Sequence, residues 1–148
     1  MAEQDHGDVE RNRRPDGVDD RTVEGTGKLS EGLEYLNRAR GAFYEAHQLI
    51  GRADFLFEEA AQLLASAGHS EIAAELFTEI VGRNVLPGRW TFQIMEEFDD
   101  TYYDVVREAE EKVRTQLLDG HRHVWESEMK QRRRTDGKPG HEERPADV

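Results

Sequence analysis

FYEAHQLIGRADFLFEEAAQLLA, residues 43–65, decides the fold class of this chain. Phe43, Ala46, Ile50, Ala53, Phe57, Ala60, Ala61 and Leu64 return at separations of three and four. That is the period of one helix face and not the strict alternation of a half-buried strand. Leu49, Leu56 and Leu63 extend the apolar surface sideways. A helix apolar over so broad an arc asks for neighbours on more than one side, or for a partner subunit. The pattern runs from Leu33 to Ala67, and Gly41 and Gly51 lower helix propensity without ending it.

Toward the C-terminus, AGHS at 67–70 reads as a turn, with Gly68 closing one helix and Ser70 capping the next. The second helix is short, carries Ile72, Ala73, Leu76, Phe77, Ile80 and Val81, and ends at Gly82. A third begins near Thr91. Its apolar residues Ile94, Phe98, Tyr102, Val105, Ala109 and Val113 follow a gradually shifting face to a stop at Asp119–Gly120. A fourth segment, from His121 to about Arg134, has Val124, Trp125 and Met129 with which to dock. Toward the N-terminus, Ser30 is the expected cap of the first helix, and residues 1–28 read as a disordered tail because Val18 and Val23 are too sparse for a packing face. The expectation is an all-α fold: a small helical bundle of two long and two short helices over 29–134, with a flexible tail at 135–148.

Composition narrows the function classes. At 148 residues, with 36% hydrophobic and 35% charged, the chain suits one domain. Every aromatic residue lies between Tyr35 and Trp125, which places the expected core in the middle. A net charge of −12 disfavours nucleic acid and anionic membrane surfaces. The chain has no cysteine, so disulfides, thiolate nucleophiles and zinc–thiolate sites are excluded. The opening MAEQDHGDVERNRRPDG has no apolar run, and no segment approaches 18 apolar residues. A soluble cytoplasmic protein without a membrane span is therefore expected. Rossmann and Walker glycine patterns are absent, as are HExxH and paired Glu-x-x-His motifs.

Three groups of residues remain as candidates for chemistry. His47, Asp54 and Glu58 lie along one line of the first helix, within about 20° of it at 100° per residue. Imidazole and carboxylates bordering an apolar face make an alternative metal site, but His47 and Glu58 are about 16 Å apart along the axis and need ligands from a neighbouring helix. The second group is the corner GRNVLPGRW, residues 82–90. Pro87–Gly88 suits a tight turn, and Val85, Leu86 and Trp90 would tie the corner to the bundle. Arg83, Asn84, Arg89 and Trp90 would also suit a ligand or partner carrying a carboxylate or phosphate. The third group comprises solvent-exposed histidines, His121 and His123 with His69, and the basic run KQRRR at 130–134. The run offsets the negative end of a helix without the aromatic interleaving of a nucleic-acid surface.

The function expected from these features is a soluble helical interaction or regulatory protein. It acts through a homodimeric or other partner-binding surface, needs no cofactor, and has an acidic protein or an anionic small molecule as further partner classes. The alternative is a small-molecule-binding or metal-dependent enzyme with its site in a helical cleft.

Overall fold

The computed structural model describes residues 11–145; of the expected tails at 1–28 and 135–148, residues 1–10 and 146–148 lie outside the described residues. The described chain is helical, and the one strand-like feature among those residues is an isolated bridge between Leu86 and Arg89. Helix α1 spans Asp20–Ser66 and α2 spans Ser70–Glu79. Helix α3, Thr91–Phe98, runs through one π-turn at Asp99–Tyr103 into α4, Asp104–Leu118. Helix α5 spans Val124–Arg133. Counting α3 to α4 as one rod, these are the two long and two short helices that the periodicity predicts.

The first helix begins ten residues before the expected cap. The Asp19 carboxylate accepts the Thr22 N–H at 2.7 Å, and this bond holds the Asp19 carboxyl below the usual carboxylate range. Ser30 is a mid-helix residue whose hydroxyl donates to Glu110 at 2.9 Å. At the other end, Gly68 takes φ +91, and the His69 N–H reaches the Leu64 carbonyl at 2.9 Å. That backbone turn closes α1 as Gly68 predicts. Residue His69, and not Ser70, occupies the cap position of α2, with no side-chain cap bond.

The chain divides into two compact units. The first combines the described residues up to Tyr35 with those from Val106 onward. Here Val23, Leu118 and Val124 form a buried cluster against which Val18 packs. The core therefore draws on the very residues that composition alone assigns to a tail. The sparse valines find their packing face in Leu118 and Val124, far along the chain, and a Cβ on Gly27 would stand 3.1 Å from the Trp125 Cβ, so this glycine admits α5 to close contact. Around this core, Arg14 makes a two-pronged pair with Glu128 at 2.8 and 2.9 Å and a further bond to Asp20 at 2.8 Å. Buried Glu110 is matched by the Ser30 hydroxyl and by Arg114, whose guanidinium also donates to the Gly120 carbonyl at 2.8 Å.

The second unit, Leu36–Val105, packs the middle of α1 with α2 and α3. Its buried hydrophobic residues are Ala61, Ala73 and Met95, while many of its aromatic and branched side chains, Leu49, Phe55 and Leu63 among them, retain large exposed areas. Composition places the core in this aromatic stretch, yet eight of its ten aromatic residues are exposed. No helix among the described residues is long and apolar enough to cross a membrane.

Candidate functional site

The corner at 82–90 is built by its own backbone. Helix α2 stops at Glu79, three residues before the expected Gly82; Gly82 takes φ +72 in the turn beyond it, and Gly88, at φ +70, follows Pro87 in a second turn. The turn is closed by the Arg89 N–H to the Leu86 carbonyl at 2.9 Å, with the Val85 N–H returning to the Arg89 carbonyl at 2.9 Å. Proline before a glycine of positive φ is the arrangement a type II turn requires. The Asp54 carboxylate, from α1, accepts the Gly82 N–H at 2.9 Å, and the Trp90 indole donates to the Gly82 carbonyl at 3.2 Å. One peptide segment is thus pinned from both sides. His47 and Thr91 share a hydrogen bond between the imidazole and the hydroxyl, which fixes the start of α3 against α1.

The four corner candidates have separate placements. Arg89 pairs with Glu97 through both its Nε and Nη2 and donates to the Pro87 carbonyl at 3.1 Å. Arg83 bonds the Glu79 carbonyl at 3.2 Å and lies 3.7 Å from its carboxylate. Trp90 is 47% exposed, so its indole edge is anchored and a face is open. Arg83, Asn84 and Trp90, with Asp54, border an open groove of about 520 Å³ whose walls include Ile50, Phe57 and Ile80. Arg89 is not among the residues that line it.

The proposed metal trio does not converge. His47 faces Thr91, Asp54 accepts from Gly82, and Glu58 accepts from Gln62 one turn along α1. Each is used by a separate contact. Among the described residues, the group of such side chains within reach of one cation is instead Glu34, His123 and Glu126 in the first unit. None of these three is buried, and the His123 imidazole lies 3.5 Å from Glu126. Of the three turn histidines, His121 engages the Arg13 carbonyl in the first unit and His69 belongs to the second unit. The basic run is occupied locally. Lys130 donates to the Glu143 carbonyl at 2.7 Å, Arg132 lies over the Trp125 ring, and Arg134 reaches Gln131, Asp136 and the His141 carbonyl.

One polar cluster escapes sequence reading. Arg40 forms a two-pronged pair with Asp99, at 2.7 and 2.9 Å, and its guanidinium lies 5.0 Å from the Tyr44 ring centre and 4.7 Å from that of Tyr103. Tyr103 donates to Asn37 at 2.6 Å. The π-turn contributes both Asp99 and Tyr103 to this cluster. The Arg40 guanidinium holds the Asp99 carboxyl below its usual value, chiefly through the hydrogen bonds. The partners are 59 residues apart, and no spacing rule links them.

No protein-family model, curated protein or solved structure matches the chain.

Proposed function

We propose that this protein is an interaction protein of the cytoplasm that works as a homodimer, the Leu36–Val105 unit completing its core against a second copy. The observation carrying this reading is the mismatch between what that unit contains and what it covers. Leu49, Leu56 and Leu63 remain 63%, 46% and 71% exposed on α1, while the buried hydrophobic residues are two alanines and one methionine. Scattered apolar residues on a surface are ordinary, but a run of them along one helix marks an interaction site.

The magnitudes support association. Full burial of a large apolar side chain contributes roughly 1.5–3 kcal/mol, and these residues have a substantial part of that still unrealised. A symmetric pair counts every such residue twice. Association costs an estimated 4–15 kcal/mol in lost freedom, a range that several leucine and aromatic side chains per chain can offset.

A regulatory role through the 520 Å³ groove is the second reading, supported by its apolar walls and the Arg83 and Asn84 rim. Native mass spectrometry separates the two. The dimer reading expects two chains with no retained small molecule. A single chain carrying a small molecule would favour the groove and overturn self-association as the main role.

A further inference from the structure

The open face of α1 has a finer pattern that specifies how two copies would meet. Taking Asp54 as the inward direction, His47 and Ala61 fall within about 20° of it at 100° per residue. Both belong to the covered side: Ala61 is buried and His47 bonds Thr91. Leu49, Leu56 and Leu63 lie about 140–180° away from that direction, on the opposite side of the helix. Ala46, Ala53 and Ala60 accompany them, so alanine and leucine alternate at separations of three and four through two and a half heptads. This is a second seam whose leucine side points away from the face that packs on α2 and α3, while its alanine side adjoins that face: Ala53 is half-buried and borders the groove.

Self-pairing has a reason in the chemistry of the seam. Alanine at every seventh residue lets two helices approach closely, and leucine at every seventh residue needs a shallow site to enter. An antiparallel pair satisfies both at once. Leu56 packs over the partner's Ala53, Leu49 over the partner's Ala60, and Leu63 over the partner's Ala46. The two-fold axis then passes between Asp54 and Phe55, and each contact occurs twice.

Charge selects this register. Glu45, Arg52 and Glu59 form the polar border of the leucine side, seven residues apart. In the central register Arg52 stands beside the partner's Glu59, twice by symmetry. Sliding one heptad in one direction brings Arg52 beside the partner's Arg52, and sliding in the other brings Glu59 beside the partner's Glu59. A parallel pair would set this border beside Ile50, Phe57 and Leu64, which carry no charge. Within one chain Arg52 and Glu59 are 3.9 Å apart and both more than half exposed, so both are accessible to a partner helix.

We propose that α1 pairs antiparallel with α1 of a second copy through the Ala46–Leu49–Ala53–Leu56–Ala60–Leu63 seam, in the register that joins Arg52 to the partner's Glu59. The proposal rests on the homodimer reading and specifies its geometry.

The test uses the full chain and two exposed substitutions, Arg52→Glu and Glu59→Arg, followed by sedimentation equilibrium at low salt. Each variant alone places like charges together twice and self-associates roughly ten-fold more weakly than wild type. Mixed in equal amounts, the two variants form a heterodimer of wild-type affinity, because each Glu now meets an Arg. The recovery shrinks in about 1 M salt, where charge is screened. A wild-type dimer whose affinity neither substitution changes, or whose variants do not recover on mixing, would overturn this register and leave the homodimer reading in place. A monomeric wild type would remove both.

Discussion

Trp90 is held by one edge and open on one face. Its indole donates to the Gly82 carbonyl, while 47% of the residue remains exposed. Trp90→Ala therefore removes about half of a buried aromatic contribution and one neutral hydrogen bond, a loss of roughly 1–2 kcal/mol. Urea unfolding measures it. A loss of about 4 kcal/mol, the scale of a deeply buried tryptophan, would contradict the exposed placement. At Asp99 the arginine pair predicts a dependence on pH. The folded carboxyl titrates below its ordinary value of 3.8, so the unfolded state binds the proton first as pH falls. The stabilisation is complete above the unfolded value and is lost as pH falls through the folded one. Asp99→Asn should accordingly be less stable than wild type at pH 6, with the difference shrinking in thermal melts as pH falls below the ordinary carboxyl value of 3.8. An unchanged gap across that range would show that the Arg40 pair carries no linkage.

Helix α1 shows how much of an element its sequence discloses. The recurrence from Phe43 to Leu64 is legible because side chains three and four apart share a face whatever packs on them. The start at Asp19–Asp20 is not, because Gly25, Gly27 and Gly32 suppress local propensity while the compensation comes from Leu118, Val124 and Trp125, about ninety residues later. The π-turn at Asp99–Tyr103 is hidden for a related reason: its cluster with Arg40 is tertiary. The corner at 82–90 was readable because Pro87–Gly88 encodes its own turn, whereas the pairing of Arg89 with Glu97 in preference to the groove was not. The glycines of α1 provide the test at this scale. Gly32 meets open space, so Gly32→Ala should stabilise by roughly 0.5–1 kcal/mol. Gly27→Ala should gain none of this, since its Cβ would press on Trp125 at 3.1 Å. Equal stabilisation by the two substitutions, followed by circular dichroism melts, would refute the close approach of α1 and α5.

At the scale of the molecule, the two units divide the work differently. The unit from the chain ends closes a small core of Val23, Leu118 and Val124 with the Arg14–Glu128 pair beside it. The Leu36–Val105 unit holds most of the aromatic residues and leaves most of them open, so composition alone does not disclose the buried cluster that the chain ends form. The breadth of the α1 apolar arc was already visible in Leu49, Leu56 and Leu63; which part of it the chain covers for itself was not. Leu56→Lys places a charge at the middle of the proposed seam and should yield a helical monomer with a circular dichroism spectrum like that of wild type. Retained self-association at wild-type strength would remove Leu56 from the interface. The most direct test of the central claim is sedimentation equilibrium of the wild-type chain up to roughly 100 µM, well above the micromolar-to-picomolar range of standard interfaces. The account predicts a species of twice the 17.0 kDa chain mass; a single-chain mass over the whole range would contradict it.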